Sequence, residues 1–131
     1  MPARLVGAAL LVGTVGLLGG CGAGACLDLP ATCTPEYDPA FAEVYANTLA
    51  PTCALSGCHA GTGTGGLGLG TTIDEAYAGL DALVVPGDAA CSPLIDHLEP
   101  DGLGDMPPGR VLTEAERCAI RSWIDAGAEG P

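Results

Sequence analysis

Residues 53–59 read CALSGCH, which places two thiols and an imidazole on one short stretch of chain. A cysteine followed directly by a histidine is the second half of C-x-x-C-H, the pattern that fastens c-type haem to a polypeptide. In that chemistry each thiol adds to a vinyl group to form a thioether, and the imidazole reaches the iron from the same side. Neutral imidazole suits iron as a ligand. Here four residues separate Cys53 from Cys58. On a regular helix this wider spacing turns the two sulfurs apart, but Ser56 and Gly57 can bulge the intervening loop and bring both to one edge. Three chemistries are open. The first is a stretched haem site, with two thioethers or a single one through Cys58. The second is a small Cys53–Cys58 disulfide loop in which His59 is incidental. The third is a zinc knuckle, for which Cys91 and Cys118 would have to supply further ligands.

A c-type electron carrier also needs a distant axial ligand, commonly a methionine sulfur. Beyond the initiator the chain has one methionine, Met106, in the loop segment GDMPPG. Methionine more often fills core space. Two following prolines stiffen the loop and hold a sulfur in place instead. His97, in IDHLEP, is the second candidate. It sits beside Leu94 and Leu98 on a short helix, and the alternatives for it are a half-exposed helix residue or a contact to a haem propionate.

The N-terminus, MPARLVGAALLVGTVGLLGGC, has one early arginine, an uncharged apolar run and then small residues. It reads as a secretory signal peptide over residues 1–20. The apolar run is too short for a bilayer span of about 20 residues. LGGC at its end resembles the lipobox of bacterial lipoproteins, which implies lipidation of Cys21, a membrane anchor through that lipid and, from Gly22, sorting to the outer membrane. The alternative is an ordinary signal cut near Gly20 or Ala25. Either way the chain is expected to be exported, to the periplasm or the cell surface.

The composition agrees with export and narrows the partners. The chain carries sixteen acidic residues against four basic ones, with a net charge of −12. All four basic residues are arginine. Such a chain is repelled by phosphate backbones, so nucleic acid is excluded as a partner, whereas a protein with a basic docking patch would be steered toward it. Seven cysteines in an exported chain point to an oxidising compartment. With Cys21 assigned to lipid, the even remainder allows two disulfides beside a haem, or three disulfides without one. Cys26–Cys33 and Cys91–Cys118 are the candidate pairs.

The elements that must position these groups are helical. Residues 21–37 are rich in Gly, Ala and Pro and read as a flexible tether. The ordered domain is expected over residues 38–131. Asp38 as cap and Pro39 as first residue open a helix with Phe41, Val44, Tyr45 and Leu49 on one face, and Pro51 should stop it. AGTGTGGLGLGTT cannot sustain a helix and reads as a loop able to approach another surface closely. No G-K-[ST] follows it, so it is not a phosphate-binding loop. Thr72 with Glu75, and Thr113 with Glu116, form capping boxes for two further helices. Ser92 and Pro93 open another. Ala119, Ile120, Trp123 and Ile124 form the buried stripe of the last helix, which Gly127 closes. No segment alternates as a strand does, so the fold class is all-α, with short helices and long Gly/Pro-rich loops.

In order, CALSGCHAG, GGLGLG, VVPGD…SPLIDHLE and MPPG…LTEAERCAIRSWIDAGA resemble the small cytochrome c domains of exported bacterial proteins, the planctomycete-type family also found in myxobacterial lipoproteins. The resemblance implies a class I cytochrome c-like fold around one covalent haem c. Its first and last helices cross with Phe41 and Trp123 near the contact, His59 is the proximal ligand and Met106 the distal one. It departs from the family in the cysteine spacing and in the Cys91–Cys118 pair. The functional expectation is a membrane-anchored mono-haem c-type cytochrome that passes single electrons to a redox protein partner, an electron carrier and not an enzyme. The alternative is a non-haem, disulfide-stapled binding or structural lipoprotein.

Overall fold

A computed structural model describes residues 26–131. The expected signal peptide and the lipidation site at Cys21 lie outside the described residues. The described chain is helical: α1 (Phe41–Val44) runs on into a π-helical segment (Tyr45–Cys53), followed by α2 (Ile73–Gly79), a 3₁₀ turn (Asp81–Leu83), α3 (Pro93–Leu98) and α4 (Glu114–Asp125). No sheet forms among these residues, and extended pairing is confined to two isolated antiparallel bridges, Gly61 with Gly70 and Thr64 with Leu67. No described helix is long and apolar enough to cross a membrane.

Both capping boxes form. Thr72 accepts from the Glu75 N–H while the Glu75 carboxylate accepts from the Thr72 N–H, and Thr113 and Glu116 do the same for α4. Each box satisfies two amide donors that the first helical turn leaves without partners. Pro93 occupies the first turn of α3, but Ser92 does not cap it. The Ser92 hydroxyl instead accepts from the Val85 N–H at 2.9 Å and donates to the Asp88 carbonyl at 2.8 Å, pinning the turn that precedes the helix.

The first helix departs from expectation at both ends. It starts at Phe41 behind Ala40, so Asp38 is not its cap. Pro51 does not stop it but lies inside the π-helical stretch. A proline ring clashes with the carbonyl four residues back in an α-helix, and the wider π turn relieves that clash. The five-residue step is visible at the exit, where the Ala54 N–H donates to the Leu49 carbonyl at 2.8 Å. Thus the helix delivers Cys53 on its last residue instead of ending before it.

The core joins α1 to α4. Phe41, Val44, Leu49, Leu69, Ile95, Ile120 and Ile124 are each at most 2% exposed. The Phe41 and Trp123 rings pack at 5.0 Å between centroids, and Phe41 meets Tyr77 edge-on at 5.1 Å. The Trp123 indole N–H donates to the Glu129 carbonyl at 2.9 Å, which folds the C-terminal residues back over α4.

Two disulfides close this framework, and their pairing corrects the expected one. Cys26 bonds Cys91 and Cys33 bonds Cys118, across sequence separations of 65 and 85. Neither Cys26–Cys33 nor Cys91–Cys118 forms. The physical reason is that residues 26–37 do not behave as the second half of a tether. Leu27, Leu29 and Tyr37 pack against the core. The Leu27 N–H donates to Ala90 at 2.9 Å and the Glu36 N–H to Ala115 at 3.1 Å. The segment is a strap laid across the start of α3 and the side of α4, so each of its cysteines meets the element beneath it. In the chain-entropy picture, loops of this length make each bridge worth about 4 kcal/mol.

Candidate functional site

Cys53, Cys58 and His59 are brought together by one closed loop. The His59 N–H donates back to the Cys53 carbonyl at 3.2 Å, and the Cys58 N–H to Leu55 at 2.9 Å. Gly57, at φ +80, supplies the left-handed residue this tight return requires. Cys58 is exposed, Cys53 is half-buried against the core, and both thiols are free.

The glycine-rich stretch positions His59. Its Nδ1 donates to the Leu67 carbonyl at 3.0 Å, and its own carbonyl accepts from the Leu69 N–H at 2.7 Å. A carbonyl only accepts, so Nδ1 carries a hydrogen and its direction fixes the ring's orientation. Leu69 is buried and anchors the far side of the loop. Gly63 is required here: a Cβ built on it would lie 1.7 Å from the Leu67 oxygen, at φ +66.

Burial pushes the Cys53 thiol up to about 11; the Arg110 guanidinium opposes this and Cys58 adds to it. Arg110 had no role in the sequence reading. It is the described basic residue that lies outside α4, and that isolation was its only signal. Its guanidinium donates to the Thr52 hydroxyl at 2.9 Å and pairs with Glu116, which ties the loop before α4 to the end of the π-helical segment.

Met106 and His97 lie side by side at the 100–111 loop. Met106 lies in a loop, half-buried and packed against the core. Its N–H donates to the His97 carbonyl at 3.1 Å. The His97 ring bonds the Asp105 carboxylate at 2.7 Å, so it serves as an anchor for the 100–111 loop. Two cavities, of about 270 and 400 Å³, lie elsewhere. One is lined by the 29–33 strap and α4, the other by α2 and Trp123; neither is lined by Cys53, Cys58, His59 or Met106.

Among the described residues no group of three or more histidine, cysteine, aspartate or glutamate side chains is arranged to hold a metal ion. Cys91 and Cys118, the further ligands a zinc knuckle would need, are both consumed in disulfides. Together these findings overturn the expectation of a mono-haem electron carrier and favour the disulfide-stapled alternative. That alternative is itself corrected in one respect: it has two bridges, with Cys53 and Cys58 unbonded.

A second cluster holds α4 in place. Glu99, 7% exposed, pairs with the Arg121 guanidinium and with Arg117 Nε at 2.9 Å; Glu114 pairs with both arginines from the solvent side. The hydrogen bond from Arg121 holds the Glu114 carboxyl below its ordinary range. All three described arginines are therefore paired with glutamates.

Compared with family models, curated proteins and solved structures, the chain shows no match.

Proposed function

We propose that the chain is an exported binding domain, held to a membrane by lipid at Cys21 and stapled by its two disulfides, that docks a partner protein with a basic patch. The observation that carries this reading is the pairing of Cys26 with Cys91 and Cys33 with Cys118. Bridges across such long separations persist in an oxidising compartment, and they convert the segment next to the anchor into part of the folded domain. The acidic surface supports the choice of partner, because the described arginines are neutralised within the fold while most carboxylates are not. Steering by such a surface weakens as salt screens it.

The packing of Phe41 on Trp123 supports a class I cytochrome c-like crossing of the first and last helices. That topology is a matter of helix packing and does not depend on what the Cys53 loop carries.

Intact mass and non-reducing peptide mapping of the mature protein, purified from membranes, test the proposal. The expected result is two disulfides with the stated pairing and an acylated Cys21 at the new N-terminus. A chain recovered from the cytosol with its leader intact and all thiols reduced would overturn it.

A further inference from the structure

We infer that Cys58 and Cys53 form a dithiol that exchanges with a disulfide-bearing partner, Cys58 making the mixed disulfide and Cys53 resolving it. The inference rests on the stapled-domain reading, because it concerns the two thiols that the staples leave over. Four of the six described cysteines are bonded across the fold, and these two share one loop unbonded.

The geometry divides the work between them. Cys58 is exposed, so a partner disulfide can reach it; Cys53 is half-buried against the core and less accessible to a bulky partner. The hydrogen bond from the His59 N–H to the Cys53 carbonyl closes the loop and holds its two ends together. Between them Gly57 has open space on its Cβ side, and Leu55, Ser56 and Gly57 are exposed, so the loop can adjust without disturbing the core. Exchange of this kind requires access for the first thiol and a second within reach of it.

The step balances. Cys58 Sγ attacks one sulfur of the partner's disulfide; that S–S bond breaks, a mixed disulfide forms, and the departing partner sulfur takes the Cys58 proton. Cys53 Sγ then attacks Cys58 Sγ. The mixed bond breaks, the second partner sulfur takes the Cys53 proton, and a Cys53–Cys58 bond remains. Two electrons pass from this chain to the partner, which leaves as two thiols.

Oxidised glutathione serves as the probe on the full mature chain, read by intact mass after quenching with an alkylating agent. The wild type should lose two alkylatable thiols and keep no glutathione. Cys53→Ser should retain one glutathione on Cys58. Cys58→Ser should form adduct at least about tenfold more slowly through the shielded thiol. The inference is overturned if Cys53→Ser and Cys58→Ser react alike, or if the wild type stops at a stable mixed disulfide. It is also overturned if the chain is isolated with both thiols already blocked by a covalent group. Mapping the two staple bridges in the same samples separates failure of this inference from failure of the stapled-domain reading.

Discussion

The Nδ1 of His59 lies 3.0 Å from the Leu67 carbonyl oxygen, so a histidine that follows the thiol loop is oriented by the glycine-rich turn beyond it. Gly63 makes that contact possible by leaving the Leu67 oxygen room. Gly63→Ala should therefore destabilise the domain by about 2 kcal/mol or more, through both the clash and the left-handed backbone. Gly65→Ala, at φ +65 but with nothing within 4 Å, should cost only about 1 kcal/mol. Urea midpoints of the two variants check this, and equal losses would contradict the clamp.

Replacing Cys33 and Cys118 together by alanine should remove about 2–5 kcal/mol. Peptide mapping of the remaining chain should still recover Cys26 linked to Cys91. A Cys26–Cys33 peptide in the wild type would show that the strap does not lie where the structure has it.

The Glu116 carboxyl sits below its ordinary range. Burial pushes it up, but the Thr113 N–H and the Arg110 guanidinium outweigh that. A carboxyl depressed by folding adds stability at pH values above its unfolded range, and that stability fades as the pH falls through the folded value. Thermal midpoints should therefore drop on acidification from about pH 5 downward. Glu116→Gln keeps an acceptor for the Thr113 N–H and removes the charge, so it should lower the midpoint at neutral pH and make the acid decline shallower. An unchanged pH profile in that variant would refute the assignment.

Glu99 is buried between Arg117 and Arg121. Truncating Arg121 to alanine leaves that carboxylate with less compensation and should cost about 3–5 kcal/mol. The double variant Arg121→Met with Glu99→Gln should recover part of the loss, because it removes the uncompensated charge. Denaturant unfolding of the three proteins decides the matter; no recovery would mean that packing, not charge, holds the cluster.

Local signals were legible along the chain. Thr72 with Glu75 and Thr113 with Glu116 mark helix starts because a capping box is made within one turn. The Ile120–Trp123–Ile124 stripe marks a buried face because its period is helical. The glycine-rich stretch could only be a loop. These follow from interactions between residues a few positions apart, which a sequence displays directly. The disulfide partners, the strap at residues 26–37 and the passage of Pro51 through a π turn are set by the packing of distant segments. The sequence suggested Cys26–Cys33 and Cys91–Cys118, whereas the pairing is decided by which surface each segment covers. The same holds for the functional site. The sequence placed two thiols and a histidine together, but only the folded chain decided that one thiol faces solvent, the other faces the core, and the imidazole is tied to a carbonyl eight residues on.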